Sequence, residues 1–331
     1  MDSAQQAAVV IPSWNCLGDL RDCVESVRAQ GGADAELLVV DNGSADGTVA
    51  FLELEGIPHV ALPENLGFAR AVNLGVSRTR SPLAMVLNAD TRLEPRCLER
   101  LAAALEADST LGGVQPLILQ LEPGLLRRPD DPGAVVYSAG QALTADGRGR
   151  EEGAGLPRSA VSVQKREIFG VCGAACMLRR ELLVSLGGYD ERYFAFCEDV
   201  DLNVRARVAG WRFGLEPGAV VWHLGNAAWA RGFSRPKADN ARLVARNRLA
   251  TQIKFMPARS TPRIALVEAG ALGRAARERR LLPTVAGKLA ALRWLPQLIR
   301  ERRRLRLEGD SFLVRAWLGR RSAGGSTIAN E

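Results

Sequence analysis

The sequence predicts an α/β protein built on a doubly wound, mostly parallel central sheet flanked by helices, with a basic helical extension at its C-terminal end. Three observations predict it. Short continuous apolar runs alternate with helix-like stretches over the first hundred or so residues, each run ends in polar residues, and the balance of charge reverses near residue 230. Continuous apolar strands suit a sheet covered on both faces, and helices between them imply parallel connections.

Residues 7–11 read as the first strand, 17–30 as a helix and 36–40 as the second strand, with a helix beginning near Asp46-Gly47-Thr48. Residues 57–62 and 82–87 read as further strands, and 67–77 and 95–107 as the helices that follow them. Four such strand–helix units make a doubly wound arrangement. From about 120 to 165, Gly, Pro, Arg and Asp displace the periodicity, which predicts a variable loop or short hairpins with no chemistry assigned. Residues 168–179 read as strand, interrupted by Gly170, Gly173, Ala174 and Ala175, whose small side chains mark either a close ligand or tight helix packing. A short helix over 181–186 and a turn at Gly187-Gly188-Tyr189-Asp190 precede a helix with Val200, Val204 and Val208 at every fourth position. Residues 211–215 and 219–222 read as two strands joined by a turn at Glu216-Pro217-Gly218, so that His223 ends a strand.

A chain of 331 residues, 47% hydrophobic, can bury a full core. Residues 1–230 hold 21 Lys+Arg against 30 Asp+Glu, a net of −9, whereas 231–331 hold 23 against 7, a net of +16. The two stretches are therefore read as two units with different partners. The first six residues carry no basic side chain and the apolar run after them is short, so no signal peptide is expected and the protein is read as cytoplasmic. Six scattered cysteines, with Cys172 and Cys176 lacking zinc-site spacing, read as buried free thiols. No run of 18 apolar residues occurs, so no membrane-spanning helix is expected.

Ligands of doubly wound sheets sit beyond the carboxyl ends of the strands. Here those ends carry Ser13 and Asn15, Asp41-Asn42-Gly43-Ser44, Glu64-Asn65, and Asn88-Ala89-Asp90. Asparagine and aspartate are also ordinary turn formers, so no single end is decisive. The most informative stretch is Cys197-Glu198-Asp199-Val200-Asp201, which sets three carboxylates where a helix starts. The helix dipole is expected to hold them ionised, as a general base requires. A solvated first turn is the plain alternative. Of the two histidines, His59 reads as structural and His223 as a candidate ligand.

Taken together, Val9-Val10-Ile11-Pro12-Ser13-Trp14-Asn15, Val40-Asp41-Asn42-Gly43-Ser44-Ala45-Asp46-Gly47-Thr48, Glu64-Asn65-Leu66-Gly67-Phe68-Ala69, Asn88-Ala89-Asp90 and the acidic stretch resemble the family 2 glycosyltransferases of the GT-A fold, over residues 7 to about 250. The resemblance implies a donor site of Pro12, Ser13, Asn15, Asp41 and Asn65, with Asp41 accepting a hydrogen bond from the base of a nucleotide diphosphate sugar. Asn88, Ala89 and Asp90 match the family's DxD motif, with Asn in place of the first Asp, and Asp90 with His223 would hold a divalent cation, Mg²⁺ or Mn²⁺. Asp199 matches the catalytic base of an inverting transfer and Glu198 its neighbour. Gly173 and Ala174 match a segment near the acceptor, Asp201 is read as a helix cap or acceptor ligand, and Arg246 as a contact of the diphosphate leaving group. Arg70 stands where relatives often carry a small residue.

The resemblance is greatest to rhamnosyltransferase-like bacterial members, which implies dTDP-rhamnose, or else a UDP-hexose, as donor and a glycan, with a lipid-linked glycan favoured, as acceptor in surface polysaccharide assembly. A catalytically silent nucleotide-sugar scaffold is the alternative that Asn88 favours. A sugar nucleotidyltransferase would carry a Gly-rich, Arg-containing loop where Pro12-Ser13-Trp14-Asn15 stands. The basic tail, with Arg277, Arg279, Arg280 and residues 300–306 around an apolar face of Val285, Leu289 and Leu292, reads either as a peripheral contact with the anionic inner face of the cytoplasmic membrane or as a homodimer contact. No nucleic-acid partner is expected, since no reader motif or aromatic interleaving accompanies the charge.

Overall fold

The computed structural model describes residues 7–30, 35–122, 128–162, 164–225 and 237–308. Its first strands are β1 (Ala7–Ser13), β2 (Ala35–Asp41), β3 (His59–Ala61) and β4 (Leu83–Leu87), all parallel, in the order β3-β2-β1-β4. Helices α1 (Leu17–Arg28), α2 (Thr48–Leu54) and α3 (Phe68–Arg78) connect them, and α4 (Cys97–Ala107) follows the short β5 (Thr91–Leu93). Each predicted strand–helix unit is present, with ends that differ by a few residues. Both faces of the strands are apolar. Val9 and Ile11 pack with Leu20, Val24 and Leu101 on one side, while Val10 packs with Val72 and Val76 on the other. That two-sided burial is why the strands read as continuous apolar runs.

Beyond β4 the sheet becomes mixed. β6 (Leu111–Gln120), β10 (Arg166–Ile168), β11 (Ala175–Arg179) and β12 (Arg212–His223) extend it in the order β4-β11-β6-β12-β10. β11 runs antiparallel to both β4 and β6. The predicted turn at 216–218 is instead an irregularity within the single strand β12, where the register on β6 shifts between Glu216 and Val220. The straight partner β6 pairs with both halves, so the chain bulges rather than reverses. The predicted strand over 168–179 is likewise split into β10 and β11 by a loop. Gly170 in that loop lies against Asn203, where an added Cβ would come 2.3 Å from the amide carbon.

The variable segment forms β7 (Val136–Ser138), which joins β6, and a hairpin of β8 (Gln141–Leu143) and β9 (Gly149–Glu151). Helices α5 (Arg180–Leu186) and α6 (Glu198–Val208) flank the turn before the acidic stretch. The C-terminal helices are α7 (Lys237–Phe255), α8 (Thr261–Arg277), α9 (Leu281–Leu292) and α10 (Leu295–Glu308). They are tied to the sheet domain by buried charge. Lys254 Nζ lies 2.6 Å from Asp201, 3.1 Å from Glu301 and 3.5 Å from Asp190, so that α6, α7 and α10 share one ion network. Among the described residues no helix is long and apolar enough to cross a membrane.

Candidate active site

The loops after the first three strands are stitched to one another by side chains. Asn15 N–H donates to Ser44 Oγ (2.8 Å), Asn15 Oδ1 accepts from Ala45 N–H (2.7 Å), and Asp41 Oδ2 accepts from Ser44 N–H (3.0 Å). Asn42 reaches the third loop, accepting from Leu66 N–H and donating to the Gly67 carbonyl. Glycine at 43 is required twice over, by φ of +76° and because a Cβ would stand 2.7 Å from Glu64 Cα. Pro12 is half-buried and Ser13 buried on β1, while Asn65 Oδ1 accepts from Gly67 N–H and so makes its own turn. One atom of this cluster is left over. Asp41 Oδ1 is buried without a hydrogen-bond partner among the described residues, a costly state for a carboxylate oxygen and one that a donor N–H would relieve.

The end of β12 brings His223 beside the Asn88-Ala89-Asp90 turn, because β5 pairs antiparallel with it, Thr91 opposite His223. His223 Nε2 lies 3.1 Å from Asp90 Oδ1 and 3.5 Å from Asn88 Nδ2, and the Tyr137 ring packs edge-on at 4.4 Å. Ala89 is buried in the core and fixes the turn. A carboxylate oxygen and an imidazole nitrogen this close form a donor pair that suits Mn²⁺ or Mg²⁺. His59, by contrast, spends its Nδ1 on the Ile57 carbonyl at 2.9 Å.

Asp199 sits in the first turn of α6, held from several sides. Its Oδ2 accepts from Gly173 N–H (3.1 Å) and Gln141 Nε2 (2.9 Å), and its Oδ1 from Val200 N–H (2.7 Å). Gln141 Nε2 also reaches Glu151 Oε1 (3.0 Å), Glu151 Oε2 accepts from Ser138 Oγ (2.5 Å), and Gln141 Oε1 accepts from Asn203 Nδ2 (2.9 Å). Ligand atoms of Glu151, Cys172 and Asp199 all lie within 4.8 Å of one another. Sequence reasoning missed Gln141 and Glu151, which lie in the segment given no chemistry. A buried glutamine in the same network, Gln115, stands in the middle of the apolar run 111–120 and was the legible signal.

The helix dipole does not decide the charge of these carboxyls. Burial pushes Glu198 up to about 8, with the Asp199 charge adding to it, and burial likewise raises Asp199 against its three hydrogen bonds. Glu151 is pushed up to about 7 by burial and then by Asp199. The expectation of a dipole-held, fully ionised triple is therefore corrected: desolvation in the interior exceeds what the first-turn N–H groups return. For Glu198, whose Oε2 has no partner among the described residues, the raised value favours the folded state below about pH 4.5, and that contribution is lost as pH rises through about 8. Glu198→Gln should accordingly flatten the fall of Tm between about pH 5 and 9. Superimposable Tm–pH curves for parent and variant would disprove this.

Two predicted site residues lie elsewhere. Asp201 is fully buried with both oxygens committed, Oδ2 to Arg205 Nε and Oδ1 to Lys254 Nζ, each at 2.6 Å, so it is an internal counter-ion and not an acceptor ligand. Arg246 donates to the carbonyls of Arg192 (3.1 Å) and Tyr193 (2.9 Å) and stacks 4.6 Å over Trp294, in place of the expected diphosphate contact. Next to Arg246 stands Asn247, which was not singled out. Its Nδ2 meets the carbonyls of Tyr193, Ala195 and Phe196 at 2.7–2.8 Å. The loop it clamps holds Phe194, Phe196 and Cys197 at φ of 66°, 72° and 64°, a strained path that delivers Glu198 and Asp199 to the start of α6.

Comparison with known proteins follows the same lines. The family model described as Glycosyl transferase family 2 matches residues 8–187. The N-acetylglucosaminyl-diphospho-decaprenol L-rhamnosyltransferase of Mycobacterium tuberculosis is 30% identical over 212 residues, which span 56% of this chain and 66% of that protein. An N-acetylglucosaminyltransferase of Mesorhizobium japonicum is 30% identical over 230 residues, 64% of this chain and 50% of its own length. Among solved structures, GalNAc-T7 with UDP, GalNAc and Mn²⁺ superposes with a TM-score of 0.55 at 17% identity, over 74% of this chain and 48% of that one. The mannosyltransferase PcManGT from Pyrobaculum calidifontis, solved with GDP-Man and Mn²⁺, gives 0.50 at 20% identity, over 95% and 83%. These two likenesses show the fold.

Proposed function

Because the chain belongs to glycosyl transferase family 2, we propose that it transfers a sugar, with inversion, from a nucleotide diphosphate sugar to a glycan acceptor carried on a lipid. The observation that carries this reading is one dipeptide. Gly173 N–H donates to Asp199 while the Ala174 carbonyl accepts from Asn88 N–H at 2.9 Å, so the turn bearing Asp90 and the candidate base are fixed on either side of two small residues. A donor diphosphate at Asp90 and an acceptor hydroxyl at Asp199 would then meet over Gly173 and Ala174.

In this reading Asp41 Oδ1, with Pro12, Ser13, Asn15 and Asn65 around it, takes the N–H of the donor's base. Asp90 and His223 would hold a divalent cation, which when bound offsets the charge of the diphosphate. Asn88 leaves one anionic ligand in the turn instead of two. Asp199 accepts the proton of the attacking hydroxyl, the step that a direct displacement with inversion requires of a base. Residues 1–230 form the catalytic unit and 231–331 the basic helical region, with Asn247 of α7 buttressing the loop before Asp199. The similarity to an L-rhamnosyltransferase of N-acetylglucosaminyl-diphospho-decaprenol supports a rhamnosyl donor and a polyprenyl diphosphate-linked glycan acceptor, with dTDP-rhamnose the donor to try first and UDP-hexoses next.

The test is a thermal-shift panel of UDP, dTDP and GDP with their sugars, each with Mn²⁺, Mg²⁺ or EDTA. A ligand at a hundredfold excess over its Kd should add about 2.7 kcal/mol to the folded state. The metal-dependent part should vanish in Asp90→Ala, and a panel with no response to any nucleotide would sink the donor site.

A further inference from the structure

Helix α9 is amphipathic with its polarity inverted. Its small residues Thr284, Gly287 and Ala291 are buried, and Gly287 is so close to α7 that an added Cβ would stand 2.2 Å from the Arg242 carbonyl oxygen. The large side chains face outward instead: Leu282 is 82% exposed and Leu289 62%, with Leu281, Val285 and Leu292 also exposed. At 100° per residue the two sets fall on opposite sides of the helix. An exposed apolar stripe of this kind marks an interaction surface. Charge surrounds it. From Arg279 to Arg300 the sequence holds five cationic residues and no acidic one, and Arg279, Arg293 and Arg300 are exposed at the ends of the stripe and on α10.

We propose that the outward face of α9, with the arginines at its ends, seats on an anionic lipid surface, the leucines entering the acyl boundary and the guanidinium groups reaching the phosphates. Lipid meets both chemistries of the patch at once, since apolar burial and attraction to anionic headgroups add in an in-plane helix. A second copy of the chain meets only one. An isologous pairing through this stripe would bring the same arginines of both copies toward one another. The inference rests on the transferase reading only for its use, which is to bring Asp199 to a lipid-linked acceptor; the surface itself is argued from α9.

The experiment is flotation of the full-length chain with vesicles of phosphatidylcholine alone or with about one third phosphatidylglycerol, at low and high salt. The parent should float with the anionic vesicles, less so at high salt, and not with the neutral ones. Leu282→Glu with Leu289→Glu should cut the bound fraction on the order of tenfold or more, with far-ultraviolet circular dichroism and nucleotide-induced thermal shift unchanged, because both side chains are exposed. Arg279→Glu with Arg293→Glu should lower binding to anionic vesicles as well. A parent that ignores anionic vesicles, a leucine double variant that binds them as the parent does, or a dimer seen by sedimentation velocity that the same variant dissolves would each overturn the proposal. Vesicle binding without any nucleotide response would leave this surface standing and remove the transferase reading alone.

Discussion

Asp199→Asn should lower sugar transfer by roughly 10²–10⁴-fold while leaving the donor-induced thermal shift in place. The substitution keeps the shape of the side chain, but its single oxygen can meet either Gly173 N–H, which now donates to Oδ2, or Val200 N–H, which donates to Oδ1, so one of these hydrogen bonds is lost with the charge. What is lost is the capacity to take a proton from the acceptor hydroxyl. Burial pushes the Asp199 carboxyl up, which makes it a stronger proton acceptor when ionised, and the hydrogen bonds from Gly173, Val200 and Gln141 oppose that push. Initial-rate kinetics with the donor named by the thermal-shift panel is the measurement. Near-parent turnover in the variant would overturn the base assignment and bring Glu198 forward, and loss of donor response together with activity would mean the variant had misfolded.

Lys254→Met should destabilise the fold by about 3–5 kcal/mol, because it leaves carboxylates in the interior without their cation. Lys254 is 3% exposed and Asp201 0%, and the same ammonium also faces Asp190 and Glu301. Arg205 and Arg192 remain near these acids, on Asp201 and on Asp190 and Glu301 respectively, which keeps the loss at this scale. For a chain of this size Tm should fall by about 5 °C. Adding Asp201→Asn should recover part of the loss, since the buried charge goes with its partner. An unchanged Tm in the single variant would show that α10 is not held to α6 through this network.

The acidic stretch illustrates what a sequence can and cannot say about a site. Its place at a helix start was legible, as were the polar strand ends that carry Asp41 and Asp90, because strand period and helix period are local properties. The state of its carboxyls was not. Glu198, Asp199 and Asp201 stand within four residues, yet one is left with an unmet oxygen, one is presented by Gly173 and Gln141, and one is an internal counter-ion. Those differences come chiefly from Gly173, Lys254 and Gln141, which lie 26, 53 and 58 positions away and which no local pattern contains. Arg246 and Asn247 show the same limit: the resemblance drew attention to the arginine, whereas the short neutral Asn247 beside it reaches the carbonyls of the strained loop.

By itself the sequence determined the strand–helix alternation of the first hundred residues, the polar ends of those strands, the family and the basic character of the C-terminal helices. Tertiary structure alone decided that β12 is one bulged strand that carries His223 to Asp90, that the hairpin holding Gln141 and Glu151 closes on Asp199, and that α9 turns its leucines outward. The physical reason is the range of the forces involved. Backbone propensity and burial pattern are written every two or four residues, but hydrogen-bond partners, desolvation and the direction a helix faces are set by whatever the fold brings alongside.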